Sequence, residues 1–277
     1  MPRMQPPSGW LRGKDVTTRL GISDSLLSRY VEDGKIRRHV PHGRTYGFYN
    51  EDDVRILEEV RVAFPGVKRR QKHRSFFSIA RRSDIPAIAK IDHDAIHHED
   101  DLYNDEFFLQ WQQRNPETLF ALRDTDGVVV GFVSILPVQR VVLDRFLRGE
   151  IGVTDILDED IPLFTTGAMI HLYVVALAIN PKFPVAIRHE YGAALLAGFF
   201  SFLLALADRG VSIETITARS HTQDGIKLMR KLGLPWLLSA VPGMELFSVR
   251  VAESGMPFLR KYYAKLEQWK QEHQKEK

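Results

Sequence analysis

The sequence predicts an α+β protein built from two unlike parts: a small basic domain of helices with one hairpin, then a larger domain in which helices flank a mixed β-sheet. Three observations favour this division. Pro65-Gly66 and the basic run Lys68 to Arg74 interrupt the chain. Beyond residue 76, apolar runs of strand length alternate with stretches of helical periodicity. The formal charge also changes sign between the two parts.

The charge is divided unequally along the chain. Residues 1–74 hold 16 of the 38 Lys and Arg and 9 of the 35 Asp and Glu, a formal charge of +7; the other residues, with 22 and 26, carry −4. A basic domain ahead of a mildly acidic one favours a polyanionic partner for the front of the protein. The sequence has no cysteine, which excludes disulfides, thiolate metal sites and a cysteine nucleophile.

Membrane insertion and export are not predicted. The first ten residues hold prolines and no apolar run, unlike a signal peptide. The uncharged stretch 191–207 is at the short limit for crossing a bilayer and lacks flanking aromatic and basic residues on both sides, which favours a buried helix. Because a cysteine-free chain fits a reducing compartment, we expect a soluble cytoplasmic protein without a membrane partner.

The front part has the spacing of two short helices joined by a tight turn. Residues 14–20 are predicted as the first helix, Gly21-Ile22 as the turn, and Ser23 or Asp24 as the cap of the second helix. The second helix buries one apolar face. The residues on its other face are Ser25, Ser28, Arg29 and Glu32. This is the helix-turn-helix arrangement, in which the second helix enters the major groove of DNA. A basic hairpin with a glycine follows, and a third helix starts near Tyr49.

These residues resemble the winged helix-turn-helix domains of the MerR and excisionase type over residues 10–62. The landmarks, in order, are Leu20-Gly21-Ile22-Ser23, Gly34-Lys35-Ile36, Arg44-Thr45-Tyr46 and Tyr49-Asn50-Glu51-Asp52-Asp53-Val54. The resemblance implies binding of double-stranded DNA, with the second helix reading bases and the wing clamping the backbone. The residues that would face bases are Ser25, Ser28 and Arg29. Those that would contact phosphates or pack the wing are Arg38, Arg44, Tyr46 and Tyr49.

The long dimerising helix of MerR regulators is missing here, because Pro65-Gly66 cuts the third helix short. A homodimer would have to be held together by the back domain or by the tail after Met256. We assign residues 1–64 to the MerR-like winged helix-turn-helix domain, 65–75 to a basic linker and 76–277 to the back domain with its C-terminal helix. The linker is either a solvated hinge or an arm that adds phosphate contacts.

In the back domain, a buried strand at residues 172–179 ends at Asn180-Pro181 and leads into a long helix, predicted from about Tyr191 to Asp208. A helix N-terminus presents unpaired N–H groups and a partial positive charge, which suits a pyrophosphate. Gly192 leaves room for an anion at the backbone. Arg188-His189 add positive or hydrogen-bonding character, so the sequence predicts an anion site at this junction.

The order of elements from about residue 76 to 251 resembles the GNAT superfamily of N-acetyltransferases. The motifs that carry the resemblance are Leu177-Ala178-Ile179-Asn180-Pro181, His189-x-x-Gly192-x-Ala194, Thr217-Ala218-Arg219-Ser220 and Lys231-Leu232-Gly233-Leu234. The resemblance implies a GNAT-like mixed β-sheet with flanking helices, acetyl-CoA as co-substrate, the pantetheine arm on the strand end and the pyrophosphate on backbone N–H groups. The cofactor-binding residues carried over are Leu177, Ala178, Ile179, Arg188, His189, Gly192, Ala193, Ala194 and Ser220.

Acetyl transfer to an amine needs a base for the amine proton and a donor for the thioester oxygen. His171 and Tyr173 alternate with Leu172 on the central strand, so both point to one face beside the expected thioester. We predict them as the catalytic base and acid, with packing in the core as the alternative for each. Met229 stands where many members of the superfamily have a tyrosine that protonates the leaving thiolate.

Three other groups have candidate roles. Glu99-Asp100-Asp101 follow the first helix of the back domain and either bind a cationic amine or form a solvated acidic turn. His221 follows the fifth strand of the superfamily's order and is a candidate to line the cofactor channel. His93 and His97 are one helical turn apart, as zinc ligands often are, but the sequence offers no convincing third ligand, so no metal site is predicted.

Two functions compete at this point. The first is an acetyl-CoA-dependent N-acetyltransferase that carries a DNA-binding domain, acetylates a primary amine of a protein lysine or a small molecule, and acts in transcription regulation. The alternative, which Met229 favours, is a non-catalytic transcription regulator whose GNAT-like domain senses acyl-CoA or binds a partner. The excisionase resemblance also allows an accessory protein of a mobile element.

Overall fold

The computed structural model describes residues 5–41, 44, 46–63, 74–96 and 105–274. In the front part three strands form a sheet in the order β1-β3-β2, beside three helices. These elements are β1 (Trp10–Arg12), α1 (Gly13–Leu20), α2 (Asp24–Glu32), β2 (Arg38–His39), β3 (Phe48–Asn50) and α3 (Glu51–Ala63).

The described back part is a seven-stranded sheet with helices on both faces. Its strands are β4 (Ser75–Ile79), β5 (Leu119–Asp124), β6 (Val129–Val138), β7 (Met169–Ile179), β8 (Ser212–Ser220), β9 (Trp236–Leu237) and β10 (Glu245–Arg250). Its helices are α4 (Ile85–Ala95), α5 (Asp105–Arg114), α6 (Arg140–Leu147), α7 (Val185–Asp208), α8 (Gln223–Leu232) and α9 (Pro257–Gln274).

The sheet order is β4-β5-β6-β7-β8-β10-β9, and the strand pairs are antiparallel except the parallel pair β7–β8. One face is covered by α7, α8 and α9, and the other by α4, α5 and α6. Side chains of β7 alternate between the two layers, with Leu172 and Val174 under α7 and Tyr173 under α6. A bulge at Val175, where the register with β6 shifts, resets this alternation, so that Ala176 also packs under α6. The mixed α/β architecture predicted from the alternating pattern is confirmed.

The front part closes over a small core of its own. Gly21 ends α1 in the left-handed conformation, with φ 55° and ψ 41°, and Ser23 Oγ accepts a hydrogen bond from the N–H of Leu26 at the start of α2. Both features agree with the predicted turn and cap. The five residues buried at the centre are Val16, Leu20, Leu27, Ile36 and Val54.

Helix α3 has two apolar faces and packs on both parts of the molecule. Val54 belongs to the front core, while Ile56 and Val60 are 4% exposed and belong to the core under α7. On its outer side, Asp52 pairs with Lys261 (3.1 Å) and Lys265 (3.6 Å) of α9. The front part is therefore docked on the back part through a shared helix.

Helix α7 begins earlier than the sequence suggested, and that part of the prediction was wrong. Pro184 occupies the position before the first turn, where its fixed φ suits a helix start, and the segment from Val185 to Arg188 contains no helix breaker. Gly192 therefore lies inside the helix. Among the described helices, α7 alone is long and apolar enough to cross a membrane, and 67% of its most apolar window is buried within the molecule.

The pattern missed two helices of the back part. Helices α5 and α6 carry Trp111 and Phe146 into the core beneath the sheet. Helix α6 opens residues 139–162, a segment for which the sequence pattern predicts no element. Two further local patterns, Asp126-Gly127 between apolar runs and Gly233 after a helical stretch, predict a hairpin and a helix end; the structure has both, because β5 pairs with β6 and α8 ends at Gly233, which has a φ of 79°.

Candidate active site

A cleft opens in the sheet where its two parallel strands separate. β7 pairs with β8 from Met169 opposite Ser212 as far as Val174 opposite Ala218. Beyond that pair β7 continues to Ile179, bonded on its other side to β6 alone. Because the strands diverge in the middle of a sheet, one edge of β7 becomes accessible to an extended ligand.

The register of β7 shows which backbone groups face the cleft. The N–H of Asn180 donates to the carbonyl oxygen of Val130, so the even-numbered residues at the end of β7 direct their backbone N–H and C=O groups toward β6. By alternation, Leu177 and Ile179 direct their N–H and C=O groups toward the cleft, as predicted for a pantetheine arm. Ala178 directs its own toward β6, so its predicted backbone contact with the cofactor is wrong.

The anion site predicted at the start of α7 is displaced. Gly192, Ala193 and Ala194 lie well inside the helix, where their N–H groups belong to the helical ladder, so the predicted pyrophosphate contact at these residues is wrong. The exposed His189 is in the second turn. Seven residues of helix move the free N-terminal turn about 10 Å from Gly192.

The true first turn of α7 retains anion-binding features. Ile187 and Arg188 donate their N–H groups to Pro184 O, and no side chain within the described chain caps the N–H groups of Val185 and Ala186. Arg188 is half-buried, and its Nε has no hydrogen-bond partner in the described ranges. Lys182 adds positive charge just before the turn. Of the predicted anion-binding residues, Arg188 is the one that the structure leaves in place.

Tyr173 lies one residue before the last β7–β8 pair, on the α6 face of the sheet. The centroids of its ring and of the Phe146 ring are 4.7 Å apart, in an edge-on arrangement. The guanidinium of Arg219 lies 4.2 Å from the centroid of the Phe146 ring. Burial raises the pKa of Tyr173 to about 12, against a smaller opposite effect of Arg219. The phenol is therefore neutral near pH 7 and acts as a hydrogen-bond donor.

Two buried polar atoms beside the cleft lack hydrogen-bond partners in the described part of the chain. They are Arg219 Nε on β8 and Ser134 Oγ on β6, opposite Ala176. Arg219 donates through Nη2 to the carbonyl oxygen of Phe146. Unsatisfied buried polar groups are uncommon in folded proteins and mark places where a polar ligand or water belongs. Their position favours a polar ligand at the floor of this cleft.

His171 is set back from the cleft and already has partners at both ring nitrogens. Nδ1 lies 2.9 Å from Thr215 Oγ1 and Nε2 lies 3.2 Å from Glu214 Oε2. The residue is three positions before the last β7–β8 pair, about 10 Å of strand. It shares a face with Tyr173, as predicted, but its contacts indicate a structural role better than the predicted base. Burial lowers its pKa, against the opposing effect of Glu214.

The lowered pKa of His171 predicts a pH-dependent stability. In the unfolded chain His171 takes up a proton at a pH of about 6.5, whereas in the folded protein it does so only at a lower pH. The free energy of unfolding should therefore decrease as the pH falls from about 6.5 toward the lowered pKa of folded His171. Above that window both states are neutral. His171→Gln should flatten the dependence in urea unfolding between acid and neutral pH, and His93→Gln, at an exposed histidine, should not. Equal slopes for the two variants would contradict this.

His221 lies just beyond the end of β8, on the open side of the cleft. Its Nε2 lies 2.7 Å from the carbonyl oxygen of Ile96, which accepts only, so Nε2 donates this hydrogen bond. Ser220, the other predicted residue here, directs Oγ to Thr222 at the start of α8. His221 therefore joins the end of β8 to the residue that follows α4.

Met229 lies on the opposite face of the sheet. With Val174 and Leu177 it lines an apolar cavity of about 50 Å³. The described side chains around this cavity are all apolar, so they provide no proton donor below the cleft.

Some predicted groups lie outside the described residues. These are Glu99-Asp100-Asp101 and His97, so the amine-binding and metal-binding interpretations of them are not examined by the structure. Within the described ranges, no group of three or more His, Asp or Glu side chains is arranged to hold a metal ion.

The predicted DNA-reading face of α2 is largely exposed. Ser25 and Ser28 are exposed and Arg29 is half-buried. Ser25 Oγ is 2.9 Å from Ser23 Oγ, which ties it to the helix cap. Ser28 and Arg29 are consequently the members of this set best able to reach a partner.

The hairpin after α2 presents cationic and aromatic side chains together. Arg38 and Arg44 are exposed, and their guanidinium groups lie 5.9 Å from the ring of Tyr49 and 5.6 Å from that of Tyr46. Arg37 is different, because it is bound to Asp53 through its backbone N–H and its guanidinium. Arg38 and Arg44 thus lie at the surface of the hairpin, while Arg37 holds the hairpin on α3.

The sequence interpretation missed two residues of the cleft. Arg219 was quoted only as part of a motif, although an arginine among the apolar residues of a central strand signals a special environment. Phe146 lies on α6, whose apolar residues Val142, Leu143 and Phe146 repeat with helical spacing. That spacing could have predicted the helix and its buried face from the sequence.

Comparisons with known proteins add a distant structural likeness. No family model matches the sequence, and no curated protein matches it. Among solved structures it is similar to Ard1 from Thermoplasma volcanium, at 14% identity and a TM-score of 0.43 over 64% of this chain and 97% of that one. Another is the ribosomal-protein-S18-alanine N-acetyltransferase from Escherichia coli (15%, TM-score 0.40, 66% and 97%).

A third is the paia N-acetyltransferase from Thermoplasma acidophilum in complex with coenzyme A (11%, TM-score 0.42, 64% and 98%). Similarities this distant do not identify an activity. The case for a function depends on the strands, cleft and side chains of this chain itself.

Proposed function

We propose that the protein is an acetyl-CoA-dependent N-acetyltransferase of GNAT type that carries a DNA-binding domain. The observation that supports the enzymatic part best is the divergence of β7 and β8 beyond Val174 and Ala218. It leaves the backbone groups of Leu177 and Ile179 facing a cleft beside a buried tyrosine, Tyr173, and a half-buried arginine, Arg219. An extended ligand with amide groups can add to such a strand edge through main-chain hydrogen bonds.

Acyl-coenzyme A matches the cleft along its length. The pantetheine arm is extended and has two amides, which suit the exposed edge of β7. The pyrophosphate is an anion, which suits the first turn of α7 with Val185, Ala186 and the guanidinium of Arg188. The thioester would then lie near the point of divergence, above Tyr173.

The chain offers groups for both proton requirements of acetyl transfer. A protonated amine must lose a proton before it attacks, and we assign its removal to His221, which lies just beyond the end of β8. The amine nitrogen then forms a bond to the acetyl carbon, the carbon–sulfur bond breaks, and a second proton passes from the nitrogen to the departing thiolate or to solvent, which leaves a neutral amide. Tyr173 donates a hydrogen bond to the thioester oxygen or the departing sulfur, and coenzyme A leaves as thiolate or thiol.

The test of this proposal is calorimetric titration with acetyl-CoA of Leu177→Pro and Leu177→Ala. Proline removes the N–H that faces the cleft, without removing a bond to β6, and its ring blocks the strand edge. Alanine removes the side chain but keeps the N–H. We expect Leu177→Pro to weaken binding by about tenfold or more, and Leu177→Ala by less than about threefold.

Thermal unfolding checks that both variants remain folded. If Leu177→Pro is unstable, Ser220→Trp, which fills the cleft from β8, replaces it. Failure of the folded native protein to bind acetyl-CoA would refute the proposed co-substrate. Equal binding by the alanine, proline and native forms would place the ligand elsewhere.

For the front part we propose binding to double-stranded DNA, with α2 in the major groove and the β2–β3 hairpin on the phosphates. The support is the charge of +7 on residues 1–74 and the exposure of Arg38 and Arg44 beside aromatic rings. From this combination we propose a regulatory role in transcription, because an enzyme bound to DNA would act on amines nearby.

The variant Arg38→Ala/Arg44→Ala is expected to lower affinity for a random-sequence duplex by about tenfold. It should also reduce the slope of log affinity against log salt by about 2, since each lost phosphate contact removes roughly one released counterion. Fluorescence anisotropy at several salt concentrations measures both. Arg148→Ala/Arg250→Ala, which removes equal charge from exposed sites of the back part, is the control. Equal losses of DNA affinity in the two variants would show that only the net charge of the protein matters, and would contradict a binding site on the hairpin.

A second candidate function is a regulator that binds acyl-CoA without turning it over. The apolar surroundings of Met229 favour it, because no described group there protonates a leaving thiolate. Release of free coenzyme A in the presence of a panel of primary amines distinguishes the two. Binding without turnover would support the sensor, and turnover would support the enzyme.

A further inference from the structure

A second cavity, of about 650 Å³, lies between the front part and α7. Leu20, Ile22 and Leu57 line it from the front, and Phe77, Phe120 and Phe202 line it from the back. No described lining residue belongs to β7 or β8, so the cavity is separate from the cleft. Its volume is within the range of small-molecule sites, roughly 300–1,000 Å³.

The back wall of this interdomain cavity is aromatic and tightly packed. Phe77 stacks on Phe120 at 5.1 Å with an interplanar angle of 8°, and Phe120 contacts Phe202 at 4.5 Å. Phe77 lies so close to Gly198 that a Cβ added there would be 2.3 Å from the ring. The wall is thus fixed by packing against α7 and is not free to collapse into the space.

The floor is kept open by small side chains on one face of α7. Ala194, Ala197, Ser201 and Ala205 recur every three or four residues and all border the cavity. Larger residues here would fill the space between the two parts. The volume is consequently set by side-chain size on α7, together with the distance at which α3 docks.

The charged residues around the cavity are already paired with one another or with neighbours. Lys35 lies 3.7 Å from Asp33, Arg37 binds Asp53, and Lys265 contacts Asp208. Asp52 pairs with Lys261 and Lys265 of α9. A charged ligand would have to break one of these pairs or enter without a partner, which is costly. An uncharged, apolar ligand neither breaks an ion pair nor buries an unpaired charge.

We propose that this interdomain cavity binds an uncharged, mainly apolar small molecule, with aromatic or short hydrocarbon groups against the phenylalanine wall. Because the walls come from both parts, such a ligand contacts both and stabilises their docking. The site goes beyond the proposed acetyl transfer and DNA binding, and it would let a metabolite other than acetyl-CoA act on the arrangement of the two parts.

The test uses two fluorescent probes that differ by one charged group. The native protein should bind N-phenyl-1-naphthylamine saturably at one site per chain. Its sulfonated counterpart, 8-anilinonaphthalene-1-sulfonate, should bind about tenfold more weakly or worse, because the anion lacks a partner. Ala205→Phe fills the cavity and should weaken binding of the uncharged probe about tenfold. Ala264→Phe, the same change at an exposed position of α9, should not.

Other outcomes would overturn the proposal. They are no saturable binding of the uncharged probe by the folded native protein, equal affinity for the two probes, or equal binding by the two variants. Saturating acetyl-CoA should leave probe binding unchanged, because displacement would place the probe in the β7–β8 cleft. If Ala205→Phe is unstable by circular dichroism, Ala197→Leu makes a smaller filling change, judged by the same criteria.

Discussion

Arg123→Ala is expected to lower the free energy of unfolding by about 3–5 kcal/mol, because it leaves the buried carboxylate of Asp84 without its charged partner. Arg123 and Asp84 are 6% and 8% exposed, and Arg123 Nε donates to Asp84 Oδ1 (3.3 Å) while Nη2 also contacts this carboxylate. Arg123 Nη1 donates to Ser78 Oγ on β4 at 2.7 Å. The arginine therefore joins the edge strand β4 to β5 and to the turn before α4.

Urea unfolding followed by circular dichroism measures this loss. The double variant Arg123→Met/Asp84→Asn is the comparison, because it removes both charges and should recover part of the stability. Asp84 also accepts from the N–H of Arg81 (2.5 Å), which asparagine can retain. A loss below about 1 kcal/mol for Arg123→Ala would mean that the pair is solvated, contrary to its burial.

Tyr173→Phe is expected to reduce kcat for acetyl transfer by about 10²–10³-fold, the typical cost of removing one donor from a developing oxyanion. With a pKa of about 12 the phenol is a weaker acid than a thiol, whose pKa is about 8.5. In the proposed reaction Tyr173 therefore stabilises the charge by hydrogen bonding and is not required to transfer its proton. Affinity for acetyl-CoA should change by less than about threefold, since binding depends on the β7 edge and α7.

The pH profile distinguishes this role from simple packing. No alkaline limb attributable to Tyr173 should appear below about pH 10, because the phenol stays protonated. Tyr191→Phe, which removes the hydroxyl of another buried tyrosine, is the matched control. Unchanged kcat in Tyr173→Phe would show that the residue only packs against Phe146.

The sequence predicted the elements whose patterns are local. The alternating run of β7, the Asp126-Gly127 hairpin and the glycine that ends α8 depend on neighbours in the chain, and all were found from it. The start of α7 was misplaced because Gly192 was taken as a loop glycine. A buried helix tolerates glycine where packing leaves no room, and packing is not visible in one sequence.

The catalytic environment was predicted less well than the fold. His171 and Tyr173 share a face, as alternation required, yet only the structure shows that His171 is bound to Glu214 and Thr215 and set back from the cleft. The point at which β7 and β8 diverge is a property of strand register, which depends on paired residues such as Val174 and Ala218 that lie far apart in the sequence. Arg219 and Phe146 meet for the same reason, across a distance in sequence that no local pattern spans.

The position of α3 limits how this protein can be taken apart or recombined. A chain divided after the helix would leave Ile56 and Val60 facing water on one fragment and an uncovered apolar stripe on the other, surfaces that promote aggregation. Grafting the front part onto another enzyme would require a new outer face for α3. Evolution of the two parts is constrained in the same way, because Ile56 belongs to the front part's α3 but packs into the core of the back part, so changes on the two sides of this contact must match.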